Sequence, residues 1–477
     1  METFDIVVIG AGPGGYPAAI RAAQLGAKVA IVEKEQLGGT CLNWGCIPTK
    51  ALIAAAETFE KIKHAEALGI SVKDATVNYA TMIGHKDKTV GTLRNGIKQL
   101  LAGNGVKSFT GVASFVDRNT IEIQSAVGFQ PADSSADKMS AAPLRITAKK
   151  IIIATGSTSA MPGFLPKHER VVESRAFLDI KELPKSMIVM GGGFIGCELA
   201  CMAAMLGVKV TIVELLEDIL LLLDADVRRE VRTHMEKNLS ICVLTGKALE
   251  KISADANSVK GNFGDEALTA DLLLCAVGRK PVTDGLKLEN AGLKMSERGF
   301  IEADDYCRTK VANIFAIGDV TGKIQLAHYA TSQGIAAAEN AVRPKLHKHE
   351  TIVPNVIFTS PEVGTAGLGE DDAKRQNRTV KVGKFRFNGL GKGIATAETI
   401  GFVKWIADAN TDQLLGAAAV GFHATDLIAE AAAVIRAELT ATELGRTIHA
   451  HPTFGEIWME AAHAVHGECI HAPPKRK

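Results

Sequence analysis

The chain has 477 residues, 47% of them hydrophobic and 22% charged. This is the balance of a globular protein, and at roughly 100–200 residues per domain it leaves room for about two to four domains. The length excludes a small disulfide-stapled module, and 54 Lys and Arg against 53 Asp and Glu leave a net charge of +1, too little to attract nucleic acid or an acidic membrane. Aromatic residues at 5% argue against a base-stacking surface, and 46 glycines point to many tight turns or to phosphate-cradling loops.

The N-terminal residues 6–9 (Ile-Val-Val-Ile) are apolar, short, and run directly into Gly10. They read as a buried strand and not as the hydrophobic region of a secretory signal. The Leu-rich stretch at residues 219–223 is broken by Asp224 and Asp226, far short of a bilayer span. A cytoplasmic location is therefore expected.

From Gly10 the sequence runs G-x-G-x-x-G (Gly10, Gly12, Gly15), then an Ala-rich helix ending at Gly26, then a strand ending in Glu33. The same pattern returns 181 residues later with Gly191, Gly193, Gly196, Gly207 and Glu214, and the two copies share 13 of 24 positions. Each copy is a dinucleotide fingerprint in full context. The first glycine allows the tight turn, the second lets backbone approach a pyrophosphate, and the third lets the helix pack closely. The helix N-terminus offers free N–H groups to phosphate, and the terminal Glu accepts from ribose hydroxyls. Pro17 fits only in a first helical turn. Glu214 is followed by Leu215 and Leu216 with no arginine to hold a 2′-phosphate, which favours NAD over NADP. Two such sites in one chain suggest two cofactors that exchange electrons.

Between the copies lies GGTCLNWGCIPTK, residues 38–50. Cys41 and Cys46 have four residues between them at the start of a helical run, so they can approach within disulfide range, and a helix N-terminus favours a thiolate. No second Cys/His pair of ligand spacing stands nearby, so zinc is disfavoured and no metal is expected. Two unrelated buried thiols remain the plain alternative. The scattered Cys197, Cys201, Cys242, Cys275, Cys307 and Cys469 read mostly as inert thiols.

Further along, residues 124–145 are polar and read as a surface hairpin or loop. Residues 151–156, 272–278 and 314–319 are apolar runs ending in glycine or Gly-Asp, as expected of buried parallel strands. From about residue 354 short alternating strands (380–387, 401–406, 415–420) and Ala-rich helices (425–439, 456–465) predict a separate α+β domain. Thr453-x-x-Glu456 before an apolar helix is a capping-box pattern. The basic end, residues 473–477, reads as a frayed tail.

GGTCLNWGCIPTK resembles the redox-active segment of the flavoprotein disulfide reductases, the class I pyridine nucleotide-disulfide oxidoreductases, most closely the branch that oxidises dihydrolipoamide. The resemblance continues through GAGPGGY, IIIATGS, GGGFIGCELA, VGRKP, IFAIGDV, QLAHYA and HAHPTFGE in family order, with Trp44, Thr49 and Phe454 as small departures. It implies an α/β fold with two Rossmann-like dinucleotide-binding domains. The FAD domain would span 1–157, the inserted NAD domain 158–282, a central segment completing the FAD site 283–353, and a C-terminal α+β dimerisation domain 354–477.

The resemblance also assigns roles. Gly10, Gly12, Gly14, Gly15, Glu33, Lys34, Gly39, Thr40, Lys50, Ala113, Thr155, Gly156, Ser157, Asp319 and Ala327 would hold FAD. Gly191, Gly193, Gly196, Glu214 and Gly278 would hold NAD. Cys46 would be the flavin-side thiolate and Cys41 the interchange thiol, with Lys50 paired to Glu198 near the flavin. His451 would be the base and Glu456 its orienting partner, reaching the cysteines of a second subunit in a homodimer. The expected reaction is dihydrolipoamide and NAD⁺ to lipoamide, NADH and a proton, served by lipoyl domains of 2-oxo-acid dehydrogenase acyltransferases or by the glycine cleavage H protein. Which of these complexes it serves stays open. A mercuric-type reductase would usually carry a C-terminal cysteine pair, where only Cys469 stands, and a glutathione-type enzyme usually prefers NADP, against Glu214. A non-catalytic FAD-binding redox sensor is the alternative from another class. The intact cysteine pair with His451 and Glu456 argues against it.

Overall fold

The structure is a computed structural model that describes residues 1–124, 143–343 and 345–473. The expected surface hairpin at 124–145 lies mostly outside the described residues, as does nearly all of the basic tail. The chain divides into two compact units. One comprises residues 1–51, 83–160 and 279–351; the other comprises 52–82, 161–278 and 352–477.

The first unit is built on a seven-stranded sheet. Strand Glu2–Ile9 lies between Val29–Glu33 and Leu144–Ile153, parallel to both; Lys107–Thr110 extends one side and Ile314–Ala316 the other, again parallel. The three central strands are mostly Val, Ile and Ala where buried: helices Gly15–Gln24 and Ala327–Val342 cover one face, and the antiparallel strands with residues 286–301 pack on the other. Thr120–Gln124 pairs antiparallel with the N-terminal part of Leu144–Ile153, and Val112–Phe115 pairs with Thr120–Gln124. Helix Gly15–Gln24 carries Pro17 in its first turn, where the missing N–H has no intrahelical partner to lose. Helix Ala327–Val342 crosses it closely: a Cβ on Gly334 would sit 2.3 Å from the Gly14 carbonyl oxygen.

The second unit repeats the parallel design. Strands run in the order Cys242–Thr245, Lys209–Glu214, Ser186–Met190, Leu272–Cys275, Val171–Glu173, all parallel. Helix Phe194–Met205 is buried almost all round. The same unit holds an antiparallel five-stranded sheet of Asn355–Ile357, Val363–Gly367, Leu414–Gly421, Gly401–Asp408 and Val380–Arg386. Helices Ala424–Arg436 and Glu456–His466 cover this sheet, so the α+β composition read from residue 354 onward is correct. Gly383 lets the last helix touch the sheet, since a Cβ there would lie 2.1 Å from the Ala461 carbonyl oxygen. Trp405 and Trp458 lock the two layers. Their rings stand 4.7 Å apart, and the Trp405 indole N–H donates to the Trp458 carbonyl at 3.0 Å. Among the described residues no helix is long and apolar enough to cross a membrane.

Candidate active site

The first Gly-rich loop leaves strand Glu2–Ile9 and enters helix Gly15–Gln24. Gly10 has φ +99°, and a Cβ on it would meet the Ala154 carbonyl oxygen at 2.4 Å. A Cβ on Gly15 would lie 1.9 Å from the Gly10 carbonyl oxygen. Both glycines are therefore compulsory. Gly14 abuts the Ala330 carbonyl, its Cβ position 3.1 Å from that oxygen. Glu33 closes the loop: its carboxylate accepts from the Ala11 amide at 2.7 Å and from the Glu35 amide at 2.9 Å. Burial pushes the Glu33 carboxyl above its usual range, and the two amides oppose that shift. Each oxygen keeps a lone pair for a ribose hydroxyl.

The rest of the expected flavin site belongs to the same unit. The Thr155 hydroxyl donates to the Val282 carbonyl at 2.7 Å, and Gly156 follows at φ +69°. The Ser157 hydroxyl donates to Asp319 at 2.5 Å. Arg279 donates to the Ser157 hydroxyl at 2.7 Å and to its carbonyl at 2.8 Å, fixing the orientation of Asp319. Arg279 stands inside the VGRKP motif, yet nothing in the motif's spacing announced this bracket. Ala113 is buried in its strand, Ala327 opens helix Ala327–Val342, and Lys34 and Thr40 are exposed.

The second loop copies the first. A Cβ on Gly191 (φ +110°) would meet the Ala276 carbonyl oxygen at 2.5 Å, and one on Gly196 would meet the Gly191 oxygen at 2.1 Å. Glu214 accepts from the Gly192 amide at 2.6 Å and from the Leu216 amide at 2.8 Å. Gly193 is the informative position. Its φ of −78° suits any residue, and a Cβ there would meet open space. Nothing within the protein demands glycine at 193, whereas close approach of a pyrophosphate does. Gly278 (φ +129°) likewise faces open space. Both loops thus fit a dinucleotide.

Cys41 lies in the short helix Gly39–Trp44, and Cys46 is the first residue of the long helix Cys46–Lys63. Both are free thiols. The Cys41 thiol is hydrogen-bonded to Cys46, and this bond, with burial second, pushes its pKa far up, while Lys50 pulls the other way. The expectation that the helix start would favour a thiolate therefore does not extend to Cys41, which holds its proton against Cys46. Asn43, buried between them in sequence, donates to the Leu37 and Gly39 carbonyls at 3.0 and 2.9 Å and accepts from Arg94 at 2.9 Å. Gly38 N–H donates to the Ala11 carbonyl at 2.8 Å, and a Cβ on Gly39 would strike Gly12 Cα at 2.6 Å. The redox strap is thereby laid across the first Gly-rich loop. Burial first of all raises the pKa of the Tyr16 phenol, which stands near Cys41. Asn43, Arg94 and Tyr16 were not singled out from sequence. Glu198, buried in helix Phe194–Met205, accepts from the Phe358 amide at 2.9 Å; it belongs to the other unit from Lys50.

His451 Nδ1 and Glu456 Oε1 are 2.8 Å apart. The other Glu456 oxygen accepts from the Thr453 amide at 2.8 Å, while the Thr453 hydroxyl turns away to the Ala450 carbonyl. Only the carboxylate half of the capping box forms, because the Thr453 hydroxyl is engaged by Ala450, and the carboxylate serves both the loop and the imidazole. Burial works against ionisation of Glu456, but the Thr453 amide, His451 and His449 outweigh it and hold the carboxyl below its usual range.

Asp224, Asp226 and Glu370 converge as a metal site would. Their centre is filled by the Lys404 ammonium, 0% exposed, at 2.8, 2.7 and 2.7 Å from the three carboxylates. Of the scattered cysteines, Cys197, Cys201, Cys275 and Cys307 are buried, Cys242 is exposed and Cys469 intermediate.

Comparison with known proteins agrees with these features. Residues 4–334 match the model of the pyridine nucleotide-disulphide oxidoreductase family, and residues 353–462 match that family's dimerisation domain, which supports a homodimer. The chain is 40% identical over 479 residues to a dihydrolipoyl dehydrogenase of Chlamydia muridarum, covering 100% of both chains. It is 40% identical over 472 residues to that of Geobacillus stearothermophilus, covering 98% of this chain and 97% of the relative. Among solved structures, a copper(II) complex of the HOCl-induced flavoprotein disulfide reductase RclA from Escherichia coli superposes with a TM-score of 0.85 at 28% identity, over 97% of this chain and 99% of that one. The two dinucleotides of this chemistry are FAD and NAD, matching the two fingerprints in number and kind. Repeated fingerprints, a paired dithiol on the first of them and a full-length family match together place the chain in the pyridine nucleotide-disulphide oxidoreductase family.

Proposed function

We propose that the chain is a homodimeric, cytoplasmic flavoenzyme that oxidises dihydrolipoamide carried on a lipoyl domain and reduces NAD⁺. The observation that carries this reading is the full-length 40% identity to dihydrolipoyl dehydrogenases, in a chain whose Cys41 and Cys46 share a hydrogen bond. When bound, FAD takes an electron pair from the dithiol and delivers it to NAD⁺. In its oxidised resting form the pair is a Cys41–Cys46 disulfide. One substrate thiol gives its proton to His451, and its sulfur attacks Cys41 Sγ, breaking the Cys41–Cys46 bond and leaving Cys46 as thiolate. After His451 has passed the first proton to solvent it takes the second, and the freed second sulfur closes the lipoamide ring and expels Cys41, which receives that second proton from His451. Glu456 holds His451 Nδ1 as the N–H, so that Nε2 presents its lone pair.

The His451 side chain is 76% exposed on its own protomer. A catalytic base needs a dry partner, which supports its delivery to the cysteines of the partner subunit. Lys50 paired with Glu198 beside the flavin, and the remaining flavin and NAD contacts expected from sequence, belong to the same reading. So does the subdivision at 157, 282 and 353, with docking of an acyltransferase or H-protein lipoyl domain. Anaerobic reduction with NADH is the test. A long-wavelength absorption band from a thiolate beside flavin is expected in the two-electron-reduced protein, and Cys46→Ser should remove it while flavin stays bound. If reduction bleaches the flavin without such a band, Cys41 and Cys46 are not the redox pair.

A further inference from the structure

Two residues before the proposed base stands a second histidine held by a second glutamate. His449 Nε2 is 2.8 Å from Glu430 Oε1, on helix Ala424–Arg436, and His449 Nδ1 is 3.0 Å from the Thr447 carbonyl oxygen. Both partners are acceptors only. A neutral imidazole has one N–H and would turn a lone pair toward one of them; an imidazolium satisfies both. The side chain is 9% exposed. A Cβ on Gly455, the residue before Glu456, would lie 3.7 Å from His449 Cδ2 and 3.9 Å from Glu430 Oε2, so the ring lies against the start of helix Glu456–His466.

We propose that His449 is a positioning residue: a fixed imidazolium, clamped by Glu430 and the Thr447 carbonyl, that holds the base-bearing loop and keeps Glu456 anionic to orient His451. The charged groups facing His449 are Glu430 from helix Ala424–Arg436 and Glu456 from helix Glu456–His466. Glu430 first, against the opposing effect of burial, raises the His449 pKa, with the Thr447 carbonyl and Glu456 adding to it. In return His449 helps to hold the Glu456 carboxyl down. Removing the cation must therefore raise the pH at which Glu456 gains its proton and lets go of His451.

The inference rests on the proposed thiol chemistry, and its test separates the two. His449→Gln and Glu430→Gln are compared with unsubstituted protein in dihydrolipoamide oxidation and in NADH-driven ferricyanide reduction, which needs the flavin but no thiol base. For each single variant the expected result is about a tenfold fall in kcat for dihydrolipoamide, with KM within about twofold. The acid limb of the pH profile should move up by about half a unit, and ferricyanide reduction should change by less than about twofold. The double variant should be no worse than either single one, because both remove the same clamp. An unmoved acid limb overturns the proposal, and so does an equal loss in both reactions, which would mark a purely structural histidine. If the unsubstituted protein oxidises another dithiol but not dihydrolipoamide, the substrate assignment fails alone, and the same comparison with that dithiol still decides the role of His449.

Discussion

The two Gly-rich loops are near copies, and they differ where it matters. Around Gly10 and around Gly191 the turn, the close helix approach and the carboxylate bridge repeat almost distance for distance. The first loop, however, is roofed by its own chain: Gly39 lies on Gly12, and Gly38 is tied to the Ala11 carbonyl. Over Gly193 there is open space. A roofed loop suits a cofactor that stays, and an open one suits a cofactor that comes and goes. The roof also carries Cys41 and Cys46, which sets the dithiol beside the first loop. The two loops thus differ by the strap at residues 38–50, which lies over the first of them.

The comparison can be broken most severely at the third glycines. Gly15→Ala and Gly196→Ala each force a methyl onto a backbone oxygen. Gly15→Ala should yield protein without flavin. Gly196→Ala should keep the flavin spectrum and bind NADH at least about 100-fold more weakly. Flavin loss in both, or in neither, would mean that the folds do not hold separate cofactors.

A second break uses the bolt that ties the NAD-type fold to the antiparallel sheet within its unit. Lys404→Met takes the buried cation from three carboxylates, leaving Asp226 only Lys384 and Asp224 only backbone amides, and should cost about 3–5 kcal/mol in denaturant unfolding of that unit. Burial disfavours ionisation of Asp224 and Asp226, yet Lys404 beside Asp224, and Lys384 together with Lys404 beside Asp226, hold both carboxyls below the usual range. Burial likewise opposes the charge on Lys404, and the three carboxylates outweigh it and raise its pKa. The carboxylate contribution is therefore present above the ordinary Asp pKa and is lost as pH falls through the lowered folded values. The lysine contribution is present below the ordinary Lys pKa and is lost as pH rises through its raised value. Unfolding measured against pH should show both limbs in the unsubstituted protein and flatter ones in Lys404→Met.

Smaller effects sharpen the contrast. Gly39→Ala lifts the strap from Gly12 and should raise the rate of FAD loss on dilution about tenfold; an unchanged rate would remove the roof from the account. Glu214→Gln removes the charge that repels a 2′-phosphate and should shift kcat/KM toward NADP⁺ over NAD⁺ by about tenfold or less, read from initial rates.

The parts of this molecule that were readable in sequence are the ones made by neighbours along the chain. Strand, Gly-rich turn, helix and terminal Glu fall within about 30 residues, so pattern alone located both loops. Three of the five strands of the C-terminal sheet were legible as alternation, with ends displaced by a few residues: Gly401–Asp408 continues beyond the expected 406, and helix Ala424–Arg436 stops before 439, while Asn355–Ile357 and Val363–Gly367 were not foreseen. What pattern does not show is pairing between distant residues. Arg94 reaches Asn43 across 51 positions, Arg279 reaches Ser157 across 122, and Lys404 finds Asp226 across 178. Lys404 in particular sits in a strand whose alternation gives no hint that a charge is fully buried. Resemblance to a family named His451 and Glu456. The Glu430–His449 clamp behind them emerges only from the packing of the loop before the last helix against helix Ala424–Arg436.

The most direct measurement is the initial rate of dihydrolipoamide oxidation by the purified flavoprotein, with NAD⁺ and NADP⁺ compared and other dithiols offered in parallel. The account predicts rapid formation of NADH, at least about tenfold slower reduction of NADP⁺, and a clear preference for dihydrolipoamide over the other dithiols. Equal rates with both nucleotides, or a preference for another dithiol, would contradict it.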